Sequence, residues 1–218
     1  MKTQITIDGP AASGKTSIGR KVSSHLNYSF LDTGLMYRAA TWIVIKNEIN
    51  ILDKSKIVNA ITNSNFSINS NLKEDSLIIN NQNVISELRT PEIDKYVSQI
   101  SKIGDVREVL VDQQRNIAEL GNIVMVGRDI GSVVLPNAKI KIYLDASLEV
   151  RAQRRFEEIK QDTTLKFEEI KQDLEKRDII DSKREVSPLT IPKDAVVINT
   201  DQLTISQVVK KIISTVEI

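Results

Sequence analysis

Gly9-Pro10-Ala11-Ala12-Ser13-Gly14-Lys15-Thr16 follows the alternating apolar stretch Gln4-Ile5-Thr6-Ile7-Asp8. It leads into Lys15–Leu26, where Ile18, Val22 and Leu26 recur at i, i+4 and i+8. Strand, glycine-bounded loop and amphipathic helix in that order decide the fold. The octapeptide fits G-x-x-x-x-G-K-[ST], and its setting sets it apart from a chance Gly/Ser turn. Glycines let the backbone curl so that successive N–H groups point inward as an anion nest. The helix behind them adds the partial positive charge of its N-terminus. Gly9 to Thr16, with Ser17 after it, are therefore the residues expected to wrap the phosphates of ATP. Lys15 can reach the β- and γ-phosphates, and the Thr16 hydroxyl can ligate Mg²⁺.

Working outward, four more segments predict strands: Ser29–Asp32, Asn122–Val126, Lys139–Leu144 and Ala195–Asn199. The stretches between them are long enough for crossover helices. An α/β fold of three layers follows, with five parallel strands covered on both faces. Thr204–Val216 carries an apolar stripe, and Thr204 with Gln207 predicts a capping box at its start. Residues 61–90 are polar and Asn-rich around Leu77-Ile78-Ile79, which predicts small β elements in an insertion, with helix resuming at Pro91. Gly104 predicts the end of that helix, and Asp105 with Glu108 a capping-box start to the next. Arg107 then falls in a first helical turn, where a cation is disfavoured. Its plain explanation is a pair with Asp105 or Glu108.

Composition narrows the chemistry. The 218 residues contain no cysteine and one histidine, His25, which excludes disulfides, thiolate metal sites and a cysteine nucleophile. Thirty basic residues against 29 acidic leave no global field to recruit nucleic acid or anionic membrane. No apolar run approaches the roughly 20 residues that span a bilayer. The start shows no secretory signal, so a cytoplasmic protein is expected. No Asn-Lys dipeptide occurs, so the usual guanine signature of GTPase switches is missing. Only 11 of the basic residues are Arg, the side chain suited to bidentate phosphate binding, and most follow strand ends or lie in the charged segment Arg151–Arg184. That distribution fits transfer from ATP onto a second phosphorylated small molecule, whose charge the arginines offset. The same segment holds Phe-Glu-Glu-Ile-Lys-Gln-Asp twice, at Phe156–Asp162 and Phe167–Asp173. A break at Thr163-Thr164 and a mobile charged cap outside the core are expected there.

With Ile7-Asp8-Gly9-Pro10, Asp32-Thr33-Gly34 through Tyr37-Arg38, Leu88-Arg89-Thr90-Pro91-Glu92, Gly127-Arg128-Asp129-Ile130-Gly131 and Arg177 through Arg184, the sequence resembles the bacterial cytidylate kinases. The likeness runs in order along nearly the whole chain. It implies one domain over residues 1–218: a core, a monophosphate-binding insertion near 60–90 and a lid near 150–184. The implied reaction is ATP + CMP or dCMP giving ADP and the diphosphate, by a monomer with no nucleic-acid or membrane partner. The implied acceptor contacts are Thr33 together with Arg38, Arg128, Arg177 and Arg184 for the phosphate. Ser98, Arg107 and Asp129 would read the cytosine, and Asp181 the sugar. Lys15, Arg128, Arg151 and Arg155 would act on the transferring group, the last two from the lid. Trp42 and Tyr37 are expected as packing residues. One departure concerns the metal: the family has an acidic residue before Gly-Arg-Asp, and this chain has Val126. Either Asp32 or Asp129 substitutes, or Mg²⁺ relies on Thr16 and ATP oxygens. A kinase for UMP, or a regulatory module that hydrolyses ATP slowly, remains the rival reading; acceptor-dependent ADP formation separates the last.

Overall fold

Ile5 and Ile7 turn to one face of a central sheet, and Thr6 and Asp8 turn to the other. The computed structural model describes residues 2–68, 76–160 and 165–216. Its first strand, β1 (Gln4–Asp8), is followed by α1 (Lys15–Leu26), β2 (Ser29–Asp32), α2 (Thr33–Lys46) and α3 (Lys54–Thr62). The insertion supplies β3 (Phe66–Ser67), β4 (Ile78–Ile79) and β5 (Gln82–Asn83). Then come α4 (Pro91–Ile100), α5 (Gly104–Ala118), β6 (Ile123–Gly127), a π turn at Ile130–Val134 and β7 (Ile140–Asp145). The chain continues through α6 (Leu148–Ile159), α7 (Phe167–Lys183), β8 (Val196–Asn199) and α8 (Ile205–Val216).

The five-stranded sheet has the order β2-β6-β1-β7-β8, parallel throughout, with Ile5 opposite both Val124 and Ile140. Strand alternation divides the apolar interior. Ile5, Ile7, Val124, Val126 and Ile142 pack under α1 and α8, with Ile18, Val22, Val208 and Ile212. Ile123 and Met125 face α2, α4 and α5, which bring Met36, Ile43, Ile100 and Leu110. The insertion is the small antiparallel sheet β3-β4-β5, and its Phe66, Leu77, Ile79 and Val84 join this second core rather than forming their own. Among the described residues no helix is long and apolar enough to cross a membrane.

The ends of α1 and α8 follow their sequence signals. Asn27 ends α1 in the left-handed conformation, with His25 in the last turn. Thr204 and Gln207 form the expected reciprocal box, N–H of Thr204 to Gln207 Oε1 at 2.8 Å and N–H of Gln207 to Thr204 Oγ1 at 3.3 Å. The expectation at Gly104 fails. Helix α4 ends at Ile100, Gly104 opens α5, and no side chain caps that start. The charged segment also departs from a cap without a core. Ile170 and Leu174 are buried with Ala152 against Ala11 of the glycine loop. The two repeat copies start on different helices, and Phe156 and Phe167 meet edge to face at 6.3 Å. The break read at Thr163-Thr164 lies outside the described residues.

Candidate active site

The loop after β1 owes its shape to two backbone positions. Gly9 has φ +148°, and a Cβ there would lie 2.2 Å from the Leu144 carbonyl oxygen. Gly14 has φ +91° and offers α1 no side-chain cap, so the first N–H groups of that helix are left for an anion. Lys15 is buried, its Nζ donating to the Pro10 carbonyl at 2.5 Å and standing 3.4 Å from Ser13 Oγ. Burial, then repulsion from Arg128 and Arg177, push the Lys15 ammonium well below the usual lysine range, while Asp32 and Asp8 oppose this. The sources of that shift say what converges here. Three cations from α1, the β6 end and α7 act on one space, and an anion among them would offset their repulsion.

Beyond Lys15 lies a chain of alternating charge. Arg107 Nη2 reaches Asp129 Oδ2 at 2.6 Å, and Asp129 Oδ1 is 3.3 Å from Arg184 Nη2. Arg184 Nη1 is 3.9 Å from Asp181 Oδ1, and Asp181 Oδ2 accepts from Arg128 Nε at 2.8 Å. Side-chain exposure runs from 3% at Arg107 to 18% at Arg128, so the innermost members depend on one another for solvation. Burial pushes the Asp181 carboxyl up, but Arg128, Arg177 and Arg184 outweigh it and hold the group below its ordinary value. Burial, and then the neighbouring Arg107, lower Arg184. Arg107 thus pairs with neither Asp105 nor Glu108. Its partner is 22 residues away, on the loop after β6.

The guanidinium of Arg107 also lies 5.1 Å from the Tyr37 ring centre, so Tyr37 is a platform for this charge as well as a packing residue. Burial pushes the Tyr37 phenol up to about 12, with Gln114 beside it. Arg107 Nε, Gln114 Nε2 and Arg184 Nη2 are buried donors in this corner without a hydrogen-bond acceptor of good geometry among the described residues. Gln114 and the stacking of Tyr37 were not legible as site features. Tyr37 stands in a quoted motif, but nothing local predicts which cation it would meet.

The remaining expected residues divide. Arg38 extends from α2 to Asp94 on α4 at 2.6 Å and to the Leu88 carbonyl at 3.1 Å. Ser98 lies one turn beyond Asp94 on α4, and its carbonyl accepts from Ser101. Arg177, on α7 a turn before Asp181, stays exposed. Thr33 is buried and donates to the Val126 carbonyl at 3.0 Å, which ties α2 to the end of β6. The arginines at the base of the charged segment splay apart. Arg151 is buried, donating to the carbonyls of Ala146 at 2.9 Å and Ala11 at 3.3 Å and pairing with Asp178 at 2.7 Å. Arg155 pairs with Glu158 at 2.9 Å. Arg154 grips Thr200 after β8 through both its carbonyl and its hydroxyl. Trp42 packs on the second core and donates to Glu87.

The fit to Mg²⁺ turns on Thr16 and Asp32. Thr16 Oγ1 donates to Asp32 Oδ2 at 2.6 Å, while Asp32 Oδ1 caps α2 through the Gly34 N–H. Val126 is packed against Gly19 in the core under α1, and both oxygens of Asp129 are taken by arginines. Among the described residues no three acidic or histidine side chains gather as a cage. Two adjacent hard oxygens without a cage suit a cation that keeps water and takes its other ligands from phosphates, as Mg²⁺ does.

Comparison with known proteins agrees with this geometry. The family model described as cytidylate kinase matches residues 5–218. The cytidylate kinase of Caldanaerobacter subterraneus subsp. tengcongensis is 43% identical over 97% of this chain and 93% of its own length. That of Bacillus subtilis is 39% identical over 99% and 97%. Among solved structures, a shikimate kinase from Bacteroides thetaiotaomicron superposes with TM-score 0.52 at 12% identity, covering 100% of both chains. A gluconokinase from Sinorhizobium meliloti gives 0.51 at 13%, over 99% of this chain and 92% of its own. These two likenesses concern the fold alone.

Proposed function

This chain belongs to the cytidylate kinase family and phosphorylates CMP at the expense of ATP, and we propose that it divides the work between the glycine loop and the charge chain. Residues Gly9 to Ser17 hold the ATP phosphates, with Lys15 on the β- and γ-groups. Arg38, Arg128, Arg177 and Arg184 hold the phosphate of CMP or dCMP, with Thr33 fixing the backbone beside them. Arg107, Asp129 and Ser98 face the base, and Asp181 the sugar. The observation that carries this reading is the convergence of Lys15, Arg128 and Arg177 on one space, at the end of the buried Arg–Asp chain.

In the reaction an acceptor phosphate oxygen forms a bond to the γ-phosphorus, and the bond to the β,γ-bridging oxygen breaks. The acceptor is already largely ionised at pH 7, since phosphate monoesters lose their second proton near pH 6. No general base is needed. The residues position two anions in line and offset their repulsion, which is most of what phosphoryl transfer requires. Thr16 and Asp32 would hold Mg²⁺, whose chemistry is to neutralise charge on the β- and γ-oxygens. Arg107 Nε and Gln114 Nε2 are donors matched to the ring acceptors of cytosine.

A monomer in the cytoplasm goes with this reading, and the near-neutral charge offers no field to recruit a nucleic-acid partner. The domain reading is one unit over 1–218, with insertion and α6–α7 arm as appendages to the core. Arg151 and Arg155 are its lid arginines, and in the present conformation Arg151 is turned onto the loop at Ala11. A panel of nucleoside monophosphates with ATP and Mg²⁺ tests the function. CMP and dCMP should release ADP fastest, and equal rates with UMP would overturn the base assignment.

A further inference from the structure

We propose that Asp8 is a positioning residue for the acceptor half of the site, fixing the backbone that carries Arg128 and Asp129 from the strand that launches the glycine loop. The side chain is fully buried at the end of β1, where alternation turns it away from Ile5 and Ile7. Its Oδ1 accepts the Ile130 N–H at 2.7 Å, and its Oδ2 the Gly131 N–H at 2.8 Å. Those are the two residues directly after Arg128-Asp129 and the first of the π turn, whose opening N–H groups need partners from outside. Asp129, at the start of that turn, makes no side-chain cap of its own. The cap comes from a strand over 120 residues earlier.

The approach is close enough to need glycine. A Cβ on Gly131 would lie 2.8 Å from Thr6 Oγ1 and 3.2 Å from Asp8 Oδ2. One carboxylate therefore ties the donor loop to the acceptor loop. The tie is sensitive to protonation. Burial raises the Asp8 carboxyl to about 6; the Gly131 and Ile130 N–H groups oppose the shift, Asp129 adds to it and Lys15 counters it. Tyr143 on the neighbouring β7 is the other titratable group that feels the Asp8 charge. Ionised Asp8 accepts from both N–H groups, whereas a protonated carboxyl turns a donor toward one of them. The hold on the Arg128–Asp129 loop should weaken as pH falls through that value.

This inference rests on the assignment of Arg128 and Asp129 to the acceptor. Asp8→Asn sets an amide NH₂ against one of the two N–H groups while keeping the shape. It should raise KM for CMP by about tenfold, the order expected for one charged hydrogen bond, and leave KM for ATP within about twofold. CMP itself titrates near pH 6, so the readout is the difference between wild type and variant. Between about pH 5 and 7, kcat/KM for CMP should fall more steeply with acid in the wild type. Superimposed profiles, or equal rises in both KM values, overturn the proposal. If Asp8→Asn does not fold, the wild-type amide resonances of Ile130 and Gly131, without nucleotide, should titrate together near pH 6. Invariance over that range overturns it too. If Arg128 and Asp129 variants leave KM for CMP untouched, the acceptor assignment has failed. If they shift it and Asp8→Asn does not, the coupling has failed.

Discussion

The proposed donor half of the site is one continuous loop from Gly9 to Ser17, formed by backbone N–H groups and the start of α1. The proposed acceptor half is drawn from α2, α4, α5, the loop after β6, α7 and the residue that caps it. Its working parts are side chains that neutralise one another: Arg107, Asp129, Arg184, Asp181 and Arg128. A peptide N–H is a fixed partial charge that costs little to bury in a turn. A row of guanidinium groups must be solvated by carboxylates before any substrate arrives. The carboxylates that make the acceptor half stable are thus the ones that also shape it. Damage to the donor half should appear in turnover, and damage to the acceptor half in CMP affinity, base choice and acid stability.

The largest effect expected is at Lys15. Lys15→Ala should lower kcat by on the order of 10²-fold or more, through loss of one preorganised charge at the reacting group. Near-normal turnover in a folded variant would remove Lys15 from the transfer. Asp181→Asn attacks the other half. It should lower kcat/KM for CMP by roughly 10–100-fold with KM for ATP nearly unchanged, since it leaves Arg128 and Arg184 short of a partner. If both substrates suffer alike, the two halves are not separable.

Asp181 also carries a pH signature. Its folded value lies below the ordinary 3.8, so its stabilising contribution is present above about pH 3.8 and lost as acid takes the pH through the folded value. The difference in urea midpoint between wild type and Asp181→Asn should therefore shrink below that pH. Asp8 runs in the opposite sense. Its raised value means that its contribution falls as pH rises from 3.8 to about 6 and is level above.

A smaller effect sharpens the account of the base. Asp129→Asn should lower kcat/KM for CMP more than for UMP and narrow the preference by about tenfold, because an amide can also donate to the uracil carbonyl. An unchanged CMP/UMP ratio would leave Asp129 only the task of orienting Arg107 and Arg184. The smallest expected change is a control in neither half. Thr204→Ala removes the α8 cap and should cost about 1 kcal/mol of stability by denaturation, with both KM values unchanged. A kinetic effect there would mean that the sites are sensitive to any loosening of the fold.

Fold and donor loop could be read from the chain because both rest on short-range rules. Strand alternation, helical spacing and the glycine-bounded octapeptide act within a few residues, and all five core strands lie within one residue of their expected bounds at each end, with β1 and β2 matching at both ends. Local reading failed where the deciding partner was distant. Asp105 and Glu108 stood near Arg107 in sequence, yet a first helical turn leaves them on the helix surface. The buried guanidinium needed a carboxylate from a distant segment, and Asp129 on the loop after β6 supplies it. The same holds for Arg154 on Thr200, for Tyr37 under Arg107, and for Asp8 on the N–H groups of Ile130 and Gly131. By itself the sequence determined that this chain builds a phosphate-binding loop on a parallel α/β sheet, and which arginines were available to face it. Only the tertiary structure decided which carboxylate each arginine meets, because pairing buried charges depends on distances across elements that spacing along the chain does not encode.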